Sequence, residues 1–106
     1  MRLPKTVKDN LFFLLAETNA QIANLQVLLD TASSTVAQRI LDRHGYTYNH
    51  KMRIHDSCTE ILRSGKKSNV DIFSLRAAET IASDLERLTD ICHDSVRLMQ
   101  NLASYS

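Results

Sequence analysis

The chain has few residues that turn or stop a helix. Its 106 residues include two glycines and one proline. Loops that cradle phosphate groups need several closely spaced glycines, and two glycines hardly allow such a loop. The sequence also shows no strand pattern, low-complexity tract or internal repeat. We therefore expect a few long helices joined by short connections.

No excess of one charge is present. There are 13 basic and 12 acidic residues, for a formal net charge of +1. A chain so nearly neutral lacks the strong field that nucleic acids or anionic lipids attract, which argues against a nucleic-acid partner.

Long apolar runs and a signal sequence are also missing. The longest apolar runs, such as residues 11–16, are far shorter than the roughly 20 residues that span a bilayer. Residues 1–5 lack the apolar stretch of a secretory signal. We expect a cytoplasmic chain that does not itself insert into a membrane.

Cysteine is scarce. Cys58 and Cys92 are too few for a disulfide framework, and both fall on apolar faces of predicted helices. We expect buried free thiols rather than redox or metal-binding groups.

Apolar residues at steps of three and four predict three helices, at about 4–29, 35–64 and 70–103. The line on the first helix comprises Val7, Leu11, Leu14, Leu15, Thr18, Ile22, Leu25, Leu28 and Leu29. Short polar connections make neighbouring helices antiparallel. The prediction is an all-α, single-domain, up-down-up three-helix bundle over residues 1–106.

Helix boundaries and one weak point are also predicted. Ser33 or Ser34 is expected to cap the second helix, and Ser68 or Asn69 the third, with Asp71 in its first turn. Gly45 should weaken the second helix by about 1 kcal/mol relative to alanine, so a bend or break can form there.

The middle of the second helix carries polar residues on its inward line. Glu86 and Asp90 lie one turn apart on the third helix, at a matching depth. We expect an interhelical network in which Glu86 pairs with Lys51 and Asp90 with His44; the alternative is a solvated groove with loose ion pairs. The residues of the predicted network are His44, Tyr48, Lys51, His55, Glu86 and Asp90. His50 and His93 are expected at the surface.

The segment at residues 84–90, D-L-E-R-L-T-D, resembles the E/D-L-E-R-I-G-D segment in the third helix of a PhoU repeat. Weaker likeness extends without gaps through residues 54–58 and Asp71, and through residues 21–41 of the first and second helices. Together it covers residues 5–103, which is one repeat of a family whose members usually carry two.

This resemblance implies a function. PhoU proteins restrain phosphate transporters and their sensor kinases, and similar repeats form cytosolic C-terminal domains of sodium/phosphate cotransporters. The expected partner is therefore a phosphate transporter or its regulatory machinery, at the inner face of the membrane. A single repeat is also expected to pair with a second copy or a tandem repeat.

PhoU repeats bind metal clusters through acidic residues, and here only part of that set is kept. Glu86 and Asp90 match, but His44 and His55 stand where relatives have aspartate, and Lys51 stands where they have glutamate. Asn19 replaces an acid of the first helix. A protonated lysine offers no lone pair and opposes a metal. The residues that could still bind zinc, iron or nickel are His44, His55, Glu86, Asp90 and His93.

The sequence therefore favours a non-enzymatic regulatory or interaction domain linked to phosphate uptake, without a cofactor. Two alternatives stay open. One is a metal-dependent or metal-storing helical bundle, and the other is a purely structural dimerisation module.

Overall fold

A computed structural model describes residues 2–64 and 71–103. These residues form four helices: α1 (Lys5–Thr31), α2 (Ser34–Asp42), α3 (Tyr46–Ser64) and α4 (Ile72–Ala103). The described ranges contain no strand. The predicted all-helical bundle is confirmed, with α2 and α3 together taking the place of the second predicted helix.

Gly45 divides that second helix in two. Its φ of +96° lies in the left-handed region that side-chain-bearing residues rarely adopt. The backbone N–H groups of Arg43 and His44 donate to the carbonyls of Ile40 and Leu41, which closes α2 in a tight turn. The prediction of one continuous helix over 35–64 is therefore wrong at residues 43–45.

The buried side of α3 differs from the predicted inward line of the second helix. Thr47 and Ile54 are buried, whereas Tyr48, His55 and Leu62, which the predicted line turns inward, are exposed. The predicted inward line of the second helix is therefore wrong for these three residues.

Side chains cap two of the helices. The Ser33 hydroxyl accepts a hydrogen bond from the N–H of Val36 at 3.3 Å, and α2 begins at the next residue. Asp71 precedes α4, and its carboxylate accepts from the N–H of Phe73 at 3.0 Å, so it acts as the cap itself. The other expected caps, Ser68 and Asn69, and the expected stop at Gly65 lie outside the described residues.

Two apolar clusters give the order and direction of the helices. One joins the start of α1 to the end of α3 and the start of α4, and its buried members are Val7, Leu11, Leu14, Ile54, Cys58, Leu75, Ala78 and Ala82. The other joins the end of α1 to α2 and the end of α4, and its buried members are Leu28, Val36, Ala37, Ile40, Cys92 and Val96. Hence α1 and α4 run parallel, and α2 and α3 return between them.

A polar layer separates the two clusters. The buried polar residues of this central layer are Glu17, Thr18, Gln21, Thr47, Thr89 and His93. Burying such groups without partners costs several kcal/mol, roughly 2–7 per group, so their pairing decides how well the helices fit at mid-height.

Candidate functional site

Four side-chain pairs join α3 and its preceding turn to α4 and form an interhelical polar ladder. From one end of the bundle to the other, they are His55–Glu79, Lys51–Glu86, Thr47–Thr89 and His44–His93, at 2.7, 3.1, 2.8 and 2.7 Å. Residue numbers fall along one helix as they rise along the other, as antiparallel helices require. The ladder therefore fixes the register of α3 on α4.

Lys51 and Glu86 form the charged step of the ladder. Both side chains are largely buried, with 27% and 17% of their surface exposed, and the Lys51 ammonium also lies 5.3 Å from the centre of the Tyr48 ring. One carboxylate oxygen of Glu86, Oε2, is buried and has no partner among the described residues. The structure thus brings together the pair that the sequence predicts.

His44 and His93 meet at the step nearest the turn between α2 and α3. Their Nδ1 atoms lie 2.7 Å apart, so one ring donates and the other accepts. His93 is 2% exposed, which makes its predicted surface position wrong. Burial lowers the pKa of His93, and the nearby His44 lowers it further.

Two other predicted network residues lie at the edge of the ladder. Asp90 is exposed and lines an open cleft with His44, Tyr48 and Glu86. The expected His44–Asp90 pair is wrong, because the His44 ring lies against His93, seven residues from the Lys51–Glu86 step on both sides of the ladder. Tyr48 is half exposed at the rim of the same cleft.

The five residues considered for a metal do not converge. His55 pairs with Glu79 at the opposite end of the ladder from the His44–His93 step. Glu86 forms an ion pair with Lys51. Within the described ranges, no group of three or more histidine, cysteine or acidic side chains could hold a metal ion.

A half-buried ion pair, which the sequence pattern did not predict, holds the turn between α2 and α3 against α1. Nε and Nη2 of Arg43 donate to the two carboxylate oxygens of Glu17 at 2.6 and 2.7 Å, and the Arg43 guanidinium lies 4.3 Å from the centre of the Tyr46 ring. The hydrogen bonds from Arg43 lower the pKa of the Glu17 carboxyl group. The signal in the sequence is an acid on the apolar face of the first helix, between Leu14 and Gln21.

His50 is also closer to the bundle than predicted. Its ring stacks on Phe13 with centroids 5.8 Å apart, and its Nδ1 lies 3.3 Å from the side-chain oxygen of Asn10. The predicted surface position of His50 is therefore wrong, since it is partly buried against α1.

Both cysteines are free and buried. Burial raises the pKa of the Cys58 thiol to about 11 and also raises that of Cys92. Neutral thiols are poor nucleophiles, so the two side chains act as small apolar core residues.

The outer side of α4 carries apolar residues that the bundle leaves uncovered. We call this set the α4 stripe; its members are Ile81, Leu88, Ile91, Leu98 and Leu102, and between 38% and 62% of the surface of each is exposed. The residues of α4 that pair with α3 and its preceding turn are Glu79, Glu86, Thr89 and His93. At 3.6 residues per turn, the stripe lies on nearly the opposite side of α4 from these contacts.

Helix α1 extends the same surface. Leu15, Ile22 and Leu29 recur every seven residues and are 40%, 37% and 66% exposed, although the sequence pattern places them with the core. Glu17 and Phe13, which contact the α2–α3 arm, lie on the other side of α1. The exposed apolar residues of both helices therefore form one surface facing away from α3, the α1/α4 face.

None of the described helices is both long and apolar enough to cross a membrane. A comparison of the chain with known protein families, with curated proteins and with solved structures found no match.

Proposed function

We propose that the chain is a non-enzymatic interaction module that docks a partner on its α1/α4 face and regulates phosphate uptake. The observation that carries the docking role is the exposure of eight large apolar side chains, three on α1 and five on α4, along one side of the bundle. A monomeric protein rarely leaves a large contiguous apolar surface in water, and such surfaces mark interaction sites.

The polar groups support a structural use of the ladder. Lys51 neutralises Glu86, His55 pairs with Glu79, and Arg43 occupies Glu17. These side chains satisfy one another across helices, so they stabilise the arrangement that presents the α1/α4 face. In the PhoU resemblance Glu86 corresponds to a metal ligand, and here a lysine ammonium holds it 3.1 Å away.

The link to phosphate uptake rests on the sequence resemblance alone. The segment at residues 84–90 supports a PhoU-like repeat, either as a free regulator or as a domain of a sodium/phosphate cotransporter. The partner would then be the transporter or its regulatory proteins, at the cytoplasmic side of the membrane.

Site-specific photocross-linking in the source cells tests both levels of this proposal. A photoreactive residue replaces Ile22, on the α1 side of the α1/α4 face, or, as a matched control, Asp56 on the exposed outer side of α3. We expect abundant cross-links from position 22 and few from position 56, with mass spectrometry identifying peptides of a phosphate transporter or its regulators.

Each other outcome removes one part of the proposal. Equal labelling from the two positions would show that the α1/α4 face is not an interface. Cross-links from position 22 to other copies of this chain alone would remove the phosphate link and leave a dimerisation module.

A further inference from the structure

The α4 stripe has the spacing of a coiled-coil seam. Its positions, including the two polar ones, are Ile81, Asp84, Leu88, Ile91, Ser95, Leu98 and Leu102, at alternating steps of three and four residues. Such a repeat lets one helix insert its side chains between those of another along its whole length. The seam is exposed along α4, so the helix that fills it comes from outside this bundle.

We infer that a second copy of this chain fills the seam, with the two α4 helices packed antiparallel about a twofold axis between Leu88 and Ile91. This register places Leu88 of one copy opposite Ile91 of the other. It then places Ile81 opposite Leu98 and Ala77 opposite Leu102, so apolar residues face apolar residues.

The polar positions match in the same register. Asp84 of one copy faces Ser95 of the other. The Ser95 hydroxyl donates to the Ile91 carbonyl of its own chain at 2.7 Å, and in the dimer it would turn to donate to the carboxylate. Asp84 also accepts a hydrogen bond from Arg87 of its own chain at 3.2 Å, so its charge is partly compensated at the edge of the seam. Each apolar position of the seam thus faces an apolar residue, and each polar position faces a polar residue.

The charges beside the seam are complementary as well. Residues just outside a coiled-coil seam form ion pairs that set the orientation of the helices. In the antiparallel register Arg87 lies beside Asp94 of the second copy, and the twofold axis repeats this pair. Both residues are exposed, and the Arg87 guanidinium, which donates to Asp84 through Nη2, has further N–H groups that can donate to Asp94 of the second copy.

A parallel arrangement of the two α4 helices is disfavoured by the same residues. It would place each seam residue opposite itself, and Asp84 would face Asp84. Like charges at this distance repel, and this repulsion is absent from the antiparallel register, in which Asp84 faces Ser95. These residues therefore favour the antiparallel arrangement.

This inference rests on the proposed function only in treating the α1/α4 face as an interface, and its test is made on the purified full chain. Sedimentation equilibrium measures the dissociation constant of the dimer for the wild type and for R87D, D94R and the double variant R87D/D94R. Each single variant places like charges side by side twice, and we expect about tenfold weaker dimerisation. The double variant restores both pairs with reversed polarity and should return to within about threefold of the wild type.

Two controls protect the result. R53D makes the same change of charge on the exposed surface of α3 and should leave the dissociation constant unchanged. L88E places a charge in the centre of the seam and should abolish the dimer, while far-ultraviolet circular dichroism shows whether each variant keeps its helices.

A wild-type chain that stays monomeric at high concentration would overturn the inference. So would a dimer that is insensitive to R87D and D94R, or one that the double variant fails to restore. Cross-links from position 22 to a phosphate transporter, together with a monomeric purified chain, would keep the proposed function and overturn this inference alone.

Discussion

At the residue scale, the pairing of opposite charges can be predicted from the sequence more readily than the burial of a side chain. Lys51 and Glu86 meet because opposite charges at matching levels attract wherever the helices bring them close. His93 could not be placed in the same way. It continues a line of polar residues that is typical of a surface, but the His44 ring covers it from the turn before α3.

The burial of His93 predicts a loss of stability in mild acid. Its pKa in the folded chain is lowered, while an unfolded histidine titrates near about 6.5. The unfolded chain therefore binds a proton first as the pH falls. The free energy of unfolding should be highest above about pH 6.5 and should decrease from there towards the lower folded pKa.

Urea unfolding at several pH values between about 7.5 and 5 measures this decrease. His93→Gln removes the titrating ring and should reduce the slope. His50→Gln should remove a separate share, since burial also lowers the pKa of His50. Glu17 does not confound this range, because its pKa is lowered from 4.5 and its contribution is lost only at more acid pH. A slope that His93→Gln leaves unchanged would contradict the prediction.

At the element scale, the helices follow from periodicity and the break does not. The predicted first and third helices, 4–29 and 70–103, agree closely with Lys5–Thr31 and Ile72–Ala103, because long amphipathic segments have only one good way to bury their apolar side. A glycine inside such a pattern can be helical or can take a positive φ, and its neighbours in sequence do not decide which. The break does not change the spacing of the buried residues, since Ile40, Thr47 and Ile54 lie seven residues apart across it.

The sign of the stability change in Gly45→Ala therefore distinguishes a continuous helix from a broken one. In a continuous helix alanine would stabilise the chain by about 1 kcal/mol. At a φ of +96° it should destabilise the chain by about 1–2 kcal/mol, because the added Cβ strains the backbone even though no atom lies within 4 Å of it.

Denaturant unfolding of this variant at a fixed protein concentration checks the sign. Asn49→Ala, on the exposed surface of α3, is the matched control and should stabilise the helix by a few tenths of a kcal/mol, up to about 0.7. A Gly45→Ala chain more stable than the wild type would mean that α2 and α3 form one helix in solution.

At the scale of the whole molecule, the bundle is long and thin. It measures 60 × 18 × 18 Å, and its radius of gyration is 16.9 Å, against about 13 Å for a compact chain of this length. Its accessible surface of 7095 Å² also exceeds the roughly 6,000 Å² typical of a 12.0 kDa monomer. One thin bundle has too little interior for all its apolar residues, which is why part of the predicted core line of α1 is exposed.

A partner that covers the α1/α4 face should therefore contribute to folding stability. If that partner is a second copy, mass action makes the thermal midpoint depend on protein concentration. An increase of about 100-fold in concentration should raise the midpoint by roughly 5–10 °C, given the enthalpy expected for two chains of this size. The R87D variant should show a smaller rise over the same range. A wild-type thermal midpoint that does not change with protein concentration would mean that the folded monomer is stable by itself. The exposed apolar residues of α1 and α4 would then bind a different protein.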